Sequence, residues 1–231
     1  MTAGPGVGAD AAGRPDLRLY LVTGDVPAGA DLADVVSAAV EGGVTTLQLR
    51  DKSGTRDDVI RVGTRLVERL AGTGVTFIVN DDVDAARAIP GAGLHVGPDD
   101  LHPADARSSL GDAAVIGWSI HDVAQLDDAA ALEACDYLAV SPVWPTPTKP
   151  DTTTPWGLDG VRRLRDAVPA RLPLVAIGGI TAANAASVVG AGADGVCVVS
   201  AICSAADPQA AAHTLRAQVD AALGRAPGWS P

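Results

Sequence analysis

Two pairs of acids stand directly after short apolar runs. "VTFIVN" (Val75–Asn80) leads into Asp81 and Asp82, and "GLHVG" (Gly93–Gly97) leads through Pro98 into Asp99 and Asp100. A carboxylate in such a place either caps the helix that follows or offers oxygen to a hard cation. Mg²⁺ typically takes one or two carboxylates and completes its shell with water and substrate phosphate oxygens. For Asp81 alone the two readings balance. Two acidic motifs at neighbouring run ends favour Mg²⁺ on Asp81 and Asp100.

Cations and anion-binding turns lie close to other run ends. Arg50 and Lys52 end "VTTLQLR" and the residues after it, and Gln48 just before them makes little sense as surface. "IGGIT" (Ile177–Thr181) and "VVSA" (Val198–Ala201) have the small residues that let backbone N–H groups approach an anion at a helix start, with a plain tight turn as the alternative for the glycines. "SPVWPTPTKPD" (Ser141–Asp151) presents Thr146, Thr148 and Lys149 on a segment stiffened by proline, which suits an anionic ligand. His95 and His121 sit near run ends as acid–base candidates, though a satisfied structural histidine serves equally well. His102 and His213 read as helix-surface positions without a role.

The elements that must position these groups follow from the spacing. Eight apolar runs recur: 18–22, 44–50, 75–80, 93–97, 114–120, 136–141, 172–178 and 195–200, each short and β-branched as strands are. Ala- and Leu-rich segments between them, such as Asp31–Glu41, Thr55–Ala71 and Pro208–Leu223, read as helices. Eight strand–helix units in one α/β domain predict a (β/α)₈ TIM barrel, whose chemistry sits at the C-terminal ends of the strands. The polar residues gather at those ends, and the strand starts carry no comparable cluster. An open dinucleotide-binding sheet is disfavoured, because no G-x-G-x-x-G follows the first strand. The domain is expected over 17–224, with flexible arms at 1–16 and 225–231.

Composition excludes several classes. With 231 residues, 47% hydrophobic but only 3% aromatic, the core must be built from Ala, Val, Leu and Ile. A net charge of −11 argues against nucleic acid as a partner. No run approaches the roughly 20 apolar residues of a membrane helix, and the N-terminus lacks the apolar region of a signal peptide. Cys135, Cys197 and Cys203 make neither a disulfide framework nor a metal pattern, so a reducing cytoplasm is expected. Homo-oligomerisation is left open.

Seven segments in register resemble the thiamine-phosphate synthase family: "QLRDK" (48–52), "VNDDVDAA" (79–86), "GLHVGPDD" (93–100), "GWSIH" (117–121), "SPVWPTPTK" (141–149), "AIGGI" (176–180) and "GVCVVSAI" (195–202). The resemblance implies a transferase that joins 4-amino-5-hydroxymethyl-2-methylpyrimidine diphosphate to a thiazole ethyl phosphate, releasing pyrophosphate. It implies that Gln48, Arg50, Lys52, Asn80, Ser119 and Lys149 hold the pyrimidine diphosphate. Thr146, Thr148, Gly179, Val199 and Ser200 would hold the thiazole phosphate, and Asp81 and Asp100 would ligate Mg²⁺. Within this set Arg50, Lys52 and Lys149 are the catalytic cations. The family mechanism is dissociative: pyrophosphate leaves before the thiazole nitrogen attacks. Trp144 stands where Tyr or Phe is usual, and Pro98 lies inside the second acidic motif. A thiazole tautomerase relative, which would need a proton shuttle such as His121, and a catalytically silent phosphate sensor remain the rivals. The intact acidic pair, Arg50 and Lys149 count against both.

Overall fold

A computed structural model describes residues 15–146 and 154–224. Eight parallel strands close into a barrel in sequence order: β1 (Leu19–Val22), β2 (Thr46–Leu49), β3 (Thr76–Asn80), β4 (Gly93–Val96), β5 (Ile116–Ile120), β6 (Tyr137–Val140), β7 (Leu174–Ile177) and β8 (Gly195–Val198). Each expected run contains its strand, trimmed by up to two residues at either end. Outside them lie α1 (Leu32–Glu41), α2 (Arg56–Leu70), α3 (Val83–Ala88), α4 (Pro103–Leu110), α5 (Ala129–Ala134), α6 (Gly157–Ala167), α7 (Ala185–Gly190), α8 (Ser200–Cys203) and α9 (Pro208–Ala222).

Local signals start these helices where the sequence places them. Asp31 accepts from the Ala33 N–H and opens α1. Thr55 and Asp58 form a reciprocal capping box on α2. Asp207 caps α9, whose first residue is Pro208, a position where the missing N–H costs nothing.

Strand periodicity sorts side chains into two cores. Leu19, Leu21, Leu47, Leu49, Leu94, Ile116, Leu138 and Val196 point outward under the helices. Tyr20, Val22, Ile78, Tyr137, Ala139, Val175 and Cys197 fill the interior. Each fully buried aliphatic side chain contributes roughly 1.5–3 kcal/mol relative to exposure. Gly117 is the interior exception that makes room, because a Cβ there would run into the Tyr137 ring.

The N-terminal end of the barrel is more polar than expected, which corrects the reading of the strand starts. Arg216 and Asp220 on α9 are buried and paired at 2.7 Å, Arg18 reaches Asp220 at 3.1 Å, and Arg18 also binds Asp16. Arg216 donates to the Gly43 carbonyl, and Thr46 to that of Asp16. Similar pairs recur ahead of two strands: Asp136 accepts from Arg107 and from the Ile116 N–H, and Asp194 from Arg165 and the Leu174 N–H. These charges are neutralised within the fold, so this end closes the barrel and leaves chemistry to the other. Pro15 is already buried, and the arm before it lies outside the described residues.

Candidate active site

The C-terminal ends of the strands surround a cavity of about 310 Å³. Gln48, Arg50, Asn80, Ser119, Thr146, Gly179, Val199 and Ser200 all line it, so eight of the sequence-chosen residues converge. Lys52, Asp81 and Asp100 do not line it; they stand together beside it, with Asp81 next to Asp100 and within the field of Lys52. Thr148 and Lys149 lie outside the described residues. His121 is absent from the lining, whereas His95 is part of it.

The first acidic motif divides its labour residue by residue. Asn80 ends β3 and faces the cavity. Asp82, not Asp81, caps α3, accepting from the Asp84 and Ala85 N–H groups and from Arg56. Asp81 has a φ of +62°, a left-handed conformation uncommon for a residue with a side chain. Its N–H donates to the His95 carbonyl, joining β3 to β4. Asp100 caps no helix either: His102 caps α4, accepting from the Ala104 N–H, while Asp100 accepts from the Gly97 N–H at 2.8 Å. Helix capping therefore explains neither carboxylate.

Burial, followed by the adjacent Asp100, pushes the Asp81 carboxyl up to about 6, against the opposing pull of Asn80 and Lys52. Two carboxylates brought together against their mutual repulsion form an arrangement that a dication relieves. Among the described residues no group of three or more His, Cys, Asp or Glu side chains converges on a point. A metal on Asp81 and Asp100 would therefore complete its shell from substrate and water, as Mg²⁺ commonly does.

Backbone geometry shapes the opposite rim. Gly178 and Gly179 have φ of +109° and +67°, and their bare Cα atoms pack against Pro142 and Trp144. Asn184 holds this turn from both sides, accepting from the Thr181 N–H and donating to the Gly179 carbonyl. Beyond β8, α8 starts at Val199–Ser200 with no side-chain cap. Trp144 donates its N–H to the Gly178 carbonyl, anchoring the start of the proline-rich segment to the glycine turn.

Several positioning groups escaped the sequence reading. Thr23, buried at the end of β1, donates to the Arg50 carbonyl and accepts from the Arg50 N–H at 2.9 Å. Gln125 accepts from the His121 and Asp122 N–H groups and donates to the Ser119 carbonyl. On the cavity floor, Gln48, Tyr20, Tyr137, His95 and Ser119 form one hydrogen-bonded chain. Thr23, Tyr20 and Tyr137 went unseen because partners 27 to 117 residues away leave no spacing signal, and Gln125 because its capping box with Asp122 follows a strand end that was read only for Ser119 and His121.

Cys197 lines the cavity, but burial raises its thiol well above the ordinary range, so it is a neutral wall. Burial also raises Cys135, to about 12, and Cys203. The cavity thus offers amides, hydroxyls and a guanidinium next to a carboxylate pair, and its cysteine is no thiolate nucleophile. No helix among the described residues is long and apolar enough to cross a membrane.

Comparison with known proteins points the same way. Residues 19–202 match the family model described as thiamine monophosphate synthase. A thiamine-phosphate synthase from Albidiferax ferrireducens is 48% identical over 206 residues, covering 89% of this chain and 93% of the relative. One from Chloroflexus aurantiacus is 44% identical, covering 88% and 93%. Among solved structures, thiamine phosphate pyrophosphorylase from Pyrococcus furiosus superimposes with a TM-score of 0.79 at 32% identity, covering 91% of this chain and 99% of that one.

Proposed function

The chain belongs to the thiamine monophosphate synthase family, and from that premise we propose that it joins 4-amino-5-hydroxymethyl-2-methylpyrimidine diphosphate to a thiazole ethyl phosphate, forming thiamine phosphate and pyrophosphate. The observation that carries the reading is how the strands share the cavity lining: Gln48, Arg50, Asn80 and Ser119 come from the ends of β2, β3 and β5, and the Gly179 and Val199–Ser200 rim follows β7 and β8. Each set suits one phosphorylated ring.

The pyrimidine ring sits over Gln48 and Ser119, with its diphosphate directed to Arg50, Asn80 and Lys52. Asp81 and Asp100 would hold Mg²⁺, which when bound would neutralise charge on the leaving pyrophosphate. Arg50 and Lys52 add fixed positive charge where the departing group gains negative charge, the kind of pre-organised stabilisation that lowers a barrier most. Thr23 contributes by clamping the Arg50 backbone. Lys149, which lies outside the described residues, is assigned to the same charge set by its match to the family pattern. The thiazole phosphate is held by Thr146, Thr148, Gly179, Val199 and Ser200, which places the ring nitrogen for attack on the exocyclic carbon of the pyrimidine. Bond breaking precedes bond making, since the aminopyrimidine stabilises its own cation. This agrees with an interior that supplies anion binders and a neutral thiol wall.

The test mixes purified protein with both substrates and Mg²⁺, follows thiamine phosphate and pyrophosphate together, and repeats the run in EDTA. Equal, metal-dependent formation of the two products is expected. Binding or isomerisation of the thiazole phosphate without coupling would overturn the proposal in favour of a sensor or a tautomerase.

A further inference from the structure

The hydrogen-bonded chain on the cavity floor has a direction. Gln48 Nε2 donates to the Tyr20 hydroxyl at 2.7 Å, and the Tyr20 and Tyr137 hydroxyls are 2.8 Å apart. Tyr137 Oη lies 3.0 Å from His95 Nδ1, and His95 Nε2 lies 2.9 Å from Ser119 Oγ. Burial holds both phenols protonated, so each has one proton to give. With Gln48 donating into Tyr20, the Tyr20 proton goes to Tyr137 and the Tyr137 proton goes to Nδ1. Nδ1 is then the acceptor, and Nε2 carries the single imidazole proton, which it donates to Ser119. A phenol donating to an imidazole nitrogen is also the better matched of the two pairings, because the stronger acid meets the stronger base.

We propose that this chain is polarised from Gln48 to Ser119, with Tyr137 as the positioning residue that locks His95 in its Nε2–H tautomer. The consequence falls on the ligand. Gln48 gives one of its two amide N–H groups to Tyr20, which pins the amide and leaves Oε1 as an acceptor for the ring. Ser119 has accepted from His95 and turns a donor, its own hydroxyl proton. The floor therefore selects a heteroaromatic ring that carries an amino donor and a ring-nitrogen acceptor, and disfavours its oxo counterpart, which reverses the pattern. This selection rests on the pyrimidine reading above; the polarity does not.

Tyr137 is built for the task. It is fully buried, its ring stacks near that of His95 with centroids 5.6 Å apart, and it occupies the space left by the missing Gly117 side chain. A network in which every member is engaged fixes one arrangement, because reversal requires every member to turn at once.

The decisive measurement is the nitrogen spectrum of ¹⁵N-histidine-labelled, ligand-free protein, with His95 assigned through His95→Gln. A bare Nδ1 and a protonated Nε2 are expected for His95. An Nδ1–H tautomer would overturn the polarity whatever the enzyme's substrate. In Tyr137→Phe the His95 signals should move towards tautomer averaging, and an unchanged spectrum would remove Tyr137 from the positioning role. The same variant should raise KM for the aminopyrimidine diphosphate about tenfold, the scale of one hydrogen bond, with KM for the thiazole phosphate unmoved. Finally, wild-type protein should bind the 4-amino ring at least about tenfold tighter than the 4-oxo analogue. Equal binding would overturn the selection while the spectrum stands or falls independently.

Discussion

Replacing Asp81 by Asn should make the metal-free protein more stable and the enzyme worse. Two costs meet at this residue. Its φ of +62° is a conformation that Asn adopts readily, and burial with the neighbouring Asp100 lifts its carboxyl from 3.8 to about 6. A group whose pKa is higher in the fold holds its proton more tightly there. Ionisation therefore destabilises the native state, fully above pH 6, and the penalty disappears as pH falls through the interval towards 3.8. That rise corresponds to roughly 3 kcal/mol at neutral pH. Solvent reaches this half-buried site, and screening reduces the usable figure to about 1–2 kcal/mol. Asn keeps the shape and removes the charge. Urea unfolding in EDTA at pH 7.5 should show the variant more stable by that amount, with the gain falling to about half at pH 5. If Asp81 and Asp100 form the proposed metal site, adding Mg²⁺ with pyrophosphate should stabilise the wild type but not the variant, because a ligand that binds only the native site stabilises it. Coupling activity should fall about 10²-fold. A variant no more stable than wild type at pH 7.5 would refute the electrostatic reasoning, and a gain independent of pH would assign it to the backbone alone.

The remaining predictions concern groups that act at a distance from the reacting atoms, or from outside the described residues. Asp220→Ala leaves Arg216 and Arg18 without their shared buried partner and should cost about 3–5 kcal/mol in chemical denaturation, with KM values at low temperature unchanged. Thr23→Val removes both bonds to the Arg50 backbone and should raise KM for the pyrimidine diphosphate roughly tenfold, without changing the far-ultraviolet circular dichroism. Lys149→Ala should lower kcat/KM by about 10²-fold, the scale of one pre-organised charge; turnover near wild type would remove Lys149 from the mechanism.

What the sequence made legible was the polar residue in the wrong company. Gln48, Asn80 and Ser119 interrupt apolar strand runs, and burying them without partners is costly, so each announces a wet cavity. Glycine pairs such as Gly178–Gly179 announce themselves in the same way, since their φ values of +109° and +67° are ones that other residues avoid. Tyr20 and Tyr137 gave no such warning. A tyrosine in a strand is ordinary core, and 117 residues separate the two hydroxyls that meet at 2.8 Å. Arg18 and Asp220 are 202 apart in the chain, and only barrel closure brings them together. Local pattern reveals a residue whose side chain conflicts with its neighbours in sequence, and hides one whose partner arrives through topology.

That division has a functional reason. A ligand-facing group must keep bonding capacity in reserve, so it remains mismatched with its own strand and visible there. A positioning group spends its capacity on the fold and looks structural. His95 stands on the boundary: it lines the cavity, yet both ring nitrogens are engaged, one by Tyr137 and one by Ser119. Its place near a run end left acid–base chemistry and a structural histidine equally open, and its two engaged nitrogens favour the structural reading, with His95 proposed to orient Ser119. A shuttle would need a ring nitrogen that can exchange its partner for substrate, whereas reversing this imidazole means reversing the two phenols and the Gln48 amide with it. The same polar interior that is proposed to bind the ring thus constrains the histidine that would otherwise compete for its protons.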